Sequence, residues 1–150
     1  MENYESYFRL FKTSWGILIG FSGNIKEDII DADVNLIKIN HSLTLKLNIP
    51  EQNKYIHSNK TLIENGILWV YDNIPNKKNI IVEINQIDLN FCNFQLEGLF
   101  FGVANWLCNY YNINMPNYYS KYDKDLNKYV FWFDEDDKRS IKLLYPNDLA

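Results

Sequence analysis

Two cysteines, Cys92 and Cys108, are too few for a disulfide scaffold, and in an intracellular chain a thiol pair is more often buried as two small apolar groups than joined or bound to zinc. No metal or cofactor is therefore expected. Uninterrupted apolar runs are also missing: none approaches the roughly 20 residues that a membrane-crossing helix needs. Met1-Glu2-Asn3-Tyr4-Glu5 does not open a basic and then apolar leader, so the expected location is cytoplasmic. Basic charge is in deficit, with 15 Lys and Arg against 19 Asp and Glu and a net charge of −4. That balance disfavours the phosphate neutralisation on which nonspecific nucleic-acid binding depends, and it suits a neutral or basic protein partner. A G-x-x-x-x-G-K-[ST] phosphate loop is absent, as are internal repeats and flexible linkers, and residues 1–150 are read as a single domain.

What is abundant is aromatic. Four Trp, eleven Tyr and nine Phe in 150 residues are enough to dominate a core and still leave rings on the surface. The chain is organised around Leu89 to Ser120, which carries one formal charge, Glu97. From Phe94 to Tyr111 the spacing predicts a helix: Leu96, Leu99, Phe100, Val103, Leu107 and Tyr110 share a face, and Gln95, Gly98, Gly102, Asn105, Asn109 and Asn112 form a narrow polar stripe opposite. Asn93 is the expected N-cap and Pro116 the stop.

In chain order, residues 6 to 22 read as extended, with Trp15, Ile17, Ile19 and Phe21 alternating up to a turn at Ser22-Gly23-Asn24. A polar loop follows, then strands at Val34 to Asn40 and Leu43 to Ile49, the latter with Thr44, Lys46 and Asn48 on a wet face. Pro50 to Asn59 reads as loop. Thr61 to Asn73 carries two conflicting signals, since Asn65-Gly66 suits a tight hairpin turn, whereas Thr61 with Glu64 forms a capping box and Ile63, Ile67, Val70 and Ile74 keep helical spacing. The helix is preferred. Ile80, Val82 and Ile84 give a strand whose apolar phase shifts to Ile87 and Leu89, which predicts a bulge near Asn85-Gln86. Lys128 to Phe133 and Ser140 to Tyr145 flank Asp134, Glu135, Asp136 and Asp137 as a hairpin with an acidic tip. The expected fold class is α+β, a two-layer sandwich with two main helices on one face of a mostly antiparallel sheet.

The span Leu62 to Leu107, with Ile63-Glu64-Asn65-Gly66-Ile67, the strand Ile80-Ile81-Val82-Glu83-Ile84 and the helix holding Glu97-Gly98 and Ala104, resembles domain IV of elongation factor G. The resemblance implies the fold of the second domain of a small-subunit ribosomal protein, and a ribosome- or RNA-associated module. That family's polar tip loop between strand and helix corresponds here to Asn90-Phe91-Cys92-Asn93, which is short and uncharged.

Four groups of residues invite chemistry. Gln95-x-x-Gly98 after a strand resembles the acetyl-CoA pyrophosphate loop of acetyltransferases, although Phe100 stands where a small residue is needed. Glu97 could act as a general acid if buried, or simply face the helix dipole. Cys92, ahead of a helix, could be an activated thiol with His41 or His57 as base. Asp123-x-Asp125-x-Asn127 echoes a calcium loop, with Lys128 in place of its turn glycine. Each has a plain structural reading beside it, and none forms a catalytic set, so the chain is read as a non-enzyme. A binding surface remains, with Tyr118, Tyr119 and Tyr122 in a loop, Trp132, and the acidic run Asp134 to Asp137. Aromatic rings anchor interfaces and carboxylates steer a basic partner. Thr44, Lys46 and Asn48 offer an alternative face. Small, acidic, aromatic-rich chains of this kind resemble the immunity proteins of bacterial toxin systems, which implies a cognate toxin as partner. The competing readings are the ribosome-associated module and a small acyltransferase-like or thiol-dependent enzyme.

Overall fold

Alternation sets the strands. The computed structural model describes residues 3–28, 36–75 and 78–133. In order the elements are β1 (Tyr4–Phe11), β2 (Gly16–Glu27), β3 (Ile37–Asn40), β4 (Leu43–Leu47), α1 (Lys54–Ser58), α2 (Lys60–Tyr71), β5 (Ile80–Leu89), a 3-10 turn (Phe91–Asn93), α3 (Gly98–Tyr111), β6 (Tyr119–Asp123) and β7 (Lys128–Trp132). Five strands form one sheet in the order β1-β2-β5-β4-β3. Every neighbouring pair is antiparallel except β4 and β5, which run parallel with α1 and α2 between them in sequence. Ile17, Ile19, Phe21, Ile80, Val82, Ile84, Leu43 and Leu45 supply one buried face, and each such side chain contributes roughly 1.5–3 kcal/mol on leaving water. The helices α2 and α3 cover that face, as the α+β two-layer reading expects.

Helix α3 is buried almost all round because it lies between the sheet, α2 and the β6–β7 hairpin. Its polar stripe is divided between two tasks. Gly98 and Gly102 sit where a Cβ would come within 2.9 Å of Ile17 and 2.7 Å of Ile19 and Phe21, so the missing side chains let the helix settle onto β2. Beyond the sheet's edge, Asn105 donates to the Tyr7 carbonyl (3.1 Å) and Asn109 to the Ser6 hydroxyl (2.6 Å), while Trp106 Nε1 donates to the Tyr4 carbonyl (2.8 Å). These bonds occupy polar groups along β1, an edge strand that would otherwise offer them to another chain.

Several expectations are corrected. Ser22-Gly23-Asn24 is not a turn: β2 runs through it, with a register shift between Ser22 and Gly23 that leaves Asn85 unpaired between Ile84 and Gln86 on β5. The bulge predicted near Asn85-Gln86 is therefore present, and Gly23 permits it, since a Cβ there would lie 1.8 Å from the Glu83 carbonyl oxygen. Lys54–Ser58 is a helix rather than loop, capped by the Asn53 side chain on the Ile56 amide (3.2 Å). The preferred helix at 61–73 is present as α2, but Asn59 holds its N-cap position and the Thr61–Glu64 box falls inside the helix. Helix α3 begins at Gly98 rather than Phe94, because Phe94 is extended and Asn93 belongs to the 3-10 turn. It ends at Asn112, which takes a left-handed conformation (φ 55°), before Pro116 is reached. Lys128–Trp132 pairs with Tyr119–Asp123. The predicted strand Ser140 to Tyr145 and the acidic run Asp134 to Asp137 lie outside the described residues. Among the described residues no helix is long and apolar enough to cross a membrane.

Candidate functional site

The β6–β7 hairpin decides which rings face outward. Because side chains alternate across a strand, the register that pairs Tyr119 with Trp132 and Tyr122 with Tyr129 puts the two pairs on opposite faces. Tyr119 is 51% exposed and stacks on Trp132 with centroids 5.8 Å apart and planes 20° from parallel. Together they form an aromatic plate on the surface.

The other rings form its foundation. Tyr129 is fully buried; its hydroxyl donates to the Trp15 carbonyl (2.8 Å) and accepts from the Lys12 amide (2.9 Å). Tyr122 meets Trp15 and Tyr129 edge to face at 5.7 and 5.3 Å, and its hydroxyl bonds the Asn127 side chain. Phe131 lies 4.5 Å from Phe101, and Phe133 lies 5.1 Å from Trp69. Tyr118 packs on Phe101 and Trp69, and burial pushes its phenol pKa up. The hairpin is also clasped by one polar side chain. Gln95 Oε1 accepts from the Tyr129 amide (2.8 Å) and Gln95 Nε2 donates to the Tyr129 carbonyl (2.6 Å), so the side chain takes the place of a neighbouring strand. On the β6 side, Lys12 Nζ donates to the Ser120 carbonyl (2.5 Å).

Of the four aromatic site residues proposed from sequence, exposed Tyr119 and partly exposed Trp132 thus share one face, while Tyr118 and Tyr122 point into the fold. Tyr118 alone precedes the strand, and Tyr119 to Tyr122 lie on β6 rather than in a loop. The acidic members Asp134, Glu135, Asp136 and Asp137 lie outside the described residues. Sequence reasoning missed a second surface cluster. Tyr55 and Phe91 meet at 5.3 Å, Phe94 closes the triangle at 6.1 and 6.2 Å, and Phe91 is 69% exposed. Phe91-x-x-Phe94 was visible in the sequence, but its partner Tyr55 sat in a stretch read as loop.

Several of the residues that invited chemistry have structural partners. Gly98 is packed against Ile17 and Phe94, and Gln95 is committed to Tyr129. Glu97 is buried with Lys128 Nζ 3.6 Å away, and its backbone carbonyl accepts from the Phe100 and Phe101 amides. Burial and the Glu97 charge together push the Tyr55 phenol pKa up. Cys92 is exposed, whereas Cys108 is buried and its thiol is pushed up to about 11. His57 Nε2 lies 2.9 Å from the Ile49 carbonyl. Asp123 Oδ1 accepts from the Asp125 and Leu126 amides, which is ordinary turn chemistry and leaves the calcium-like spacing with a local role. Among the described residues no group of three or more His, Cys, Asp or Glu side chains is placed to hold a metal ion. No protein-family model matches the chain, and no curated protein or solved structure matches it significantly.

Proposed function

We propose that this chain is a non-enzymatic protein-binding module of the toxin-immunity type, docking a cognate protein through Tyr119 and Trp132. The observation that carries this reading is exposed Tyr119 stacked on partly exposed Trp132 on a clasped hairpin. Rings already fixed before binding bring anchor area at little entropic cost, and such anchors account for most of an interface's affinity. The acidic composition adds electrostatic steering toward a basic partner. The test uses the intact chain as bait for its host's proteins, alongside Tyr119→Ala and Trp132→Ala, followed by kinetics on whatever the wild type alone retains. Each truncation should accelerate dissociation by a factor corresponding to about 1–3 kcal/mol. Neutralising Asp134, Glu135, Asp136 and Asp137 should instead slow association and flatten its salt dependence. A partner held equally by all variants would place the interface elsewhere, and no retained partner would refute the reading.

One observation favours a second reading. Lys121, Lys124 and Lys128 lie on the same hairpin as the stacked rings, and rings beside lysines suit unpaired bases, in line with the ribosome- or RNA-associated alternative. Asp123 and Asp125 alternate with them and weaken the local field. Co-sedimentation with ribosomes at low salt, lost in Tyr119→Ala, would support it; no co-sedimentation under those conditions would remove it.

A further inference from the structure

Phe91 is more exposed than any other aromatic ring among the described residues, although water favours its burial. Its turn is fixed locally. Asn90 Oδ1 accepts from the Cys92 amide (2.9 Å) and the Asn90 carbonyl from the Asn93 amide (2.8 Å), while Tyr55 and Phe94 brace the ring edge to face at 5.3 and 6.2 Å. A braced ring facing solvent is the form an interface anchor takes. It is joined to the stacked pair by neighbouring groups. Lys128 shares the outer face of β7 with Trp132 by alternation, its ammonium lies 3.6 Å from the Glu97 carboxylate, and the Glu97 charge acts on the Tyr55 phenol beside Phe91. Size argues the same way. Each strand of the hairpin has five residues, so its outer face measures about 17 Å by 10 Å, whereas a standard interface takes about 800 Å² from each partner. A protein seated on Tyr119 and Trp132 must therefore reach well beyond the hairpin, and across the Lys128–Glu97 pair it meets the Phe91 cluster.

We propose that Phe91 is a second anchor for the protein that docks on Tyr119 and Trp132, an extension that rests on that reading: the same partner seats an apolar side chain against Phe91 and Tyr55. The experiment takes the partner retained by the intact chain and measures its dissociation from wild type, Phe91→Ala and Tyr119→Ala. Amide hydrogen exchange of the wild-type complex supplies a footprint that depends on no variant. Phe91→Ala should release the partner about fivefold faster or more, and amides at 91–94 and at 119–132 should gain protection in one complex. Because Phe91 is mostly exposed, its truncation should leave the fold intact. Faster release from Tyr119→Ala alone, with no footprint at 91–94, would overturn the second anchor and leave the hairpin as the docking site. Protection at 91–94 without any at 119–132, or no retained partner, would overturn both. Protection at 91–94 that grows with the concentration of the free chain would assign Phe91 to a second copy of this chain and likewise overturn the proposal.

Discussion

Replacing Gln95 by Ala removes both bonds of the clasp at once. The bonds are 2.8 and 2.6 Å long and lie in a partly buried site, so neither Tyr129 backbone group gains water freely. Two net hydrogen bonds at about 1 kcal/mol each, with further desolvation cost for the stranded amide and carbonyl, give an expected loss of about 2–4 kcal/mol. Gln95→Met keeps the length of the side chain and removes only the hydrogen bonding. It should therefore lose nearly as much as Gln95→Ala if the bonds, rather than the packing, hold the hairpin. Urea unfolding measures the global loss, and native-state hydrogen exchange at the Tyr129 amide measures the local one. That amide should lose protection in both variants before the β2 and β5 amides do, because those strands keep their own ladder. A Gln95→Met protein within about 0.5 kcal/mol of wild type, with an undisturbed Tyr129 amide, would refute the clasp. Partner binding through Tyr119 should fall in step with the lost protection.

Gly66→Ala should destabilise the fold even though Ala is the better helix former by about 1 kcal/mol. Its Cβ would lie 2.4 Å from the Phe100 carbonyl oxygen and 2.7 Å from Val103, and overpacking of that kind costs about 1–3 kcal/mol. A stabilised Gly66→Ala protein in chemical denaturation would contradict the close α2–α3 approach. At high pH, Tyr7 should resist ionisation, because its hydrogen bond to Asp88 (2.6 Å), with smaller contributions from desolvation and nearby carboxylates, pushes the phenol up to about 12. Since the folded value exceeds the ordinary 10, the unfolded chain loses its protons first. The contribution is complete below pH 10 and disappears as the pH rises through 12, and Tyr111, raised further by burial and Glu27, acts in the same direction. Ultraviolet difference titration of wild type against Tyr7→Phe checks this; a Tyr7 midpoint near 10 would refute it.

The sheet was readable from sequence wherever a period of two met a single buried face. Leu43, Leu45 and Leu47, and Ile80, Val82 and Ile84, fall inward as the alternation requires, and the phase change toward Ile87 located the bulge at Asn85. Boundaries failed where tertiary contact outweighed local preference. Ser22-Gly23-Asn24 has the composition of a turn, yet Gly23 is there for close approach to the Glu83 carbonyl and the strand continues. Asn65-Gly66 has the composition of a hairpin tip, yet its glycine is the point where two helices touch. In both places glycine was used for space rather than for a positive φ, which no glycine among the described residues adopts. Sequence alone does not separate those two uses.

The candidate site was half readable, for a related reason. An aromatic-rich segment at 118–132 marks a surface or a core, and only strand register tells which rings face which way. Once Tyr119 pairs with Trp132, Tyr122 must join Tyr129 underneath. The residues that suggested catalysis also have local structural partners, because turns and clasps draw on the same chemistry as active sites. Asp123 folds a turn, Gln95 mimics a strand and Gly98 admits Ile17, each with the donors, acceptors or small volume that a catalytic loop would also need. What separates the two cases is whether polar atoms are already satisfied. Among the described residues every buried side-chain nitrogen and oxygen has a hydrogen-bond partner. A buried polar atom left without one would have called for an explanation in substrate or strain. Here Asp123 folds the hairpin's turn and Gln95 clasps its second strand, and exposed Tyr119 stacked on partly exposed Trp132 is what that arrangement presents on its outer face.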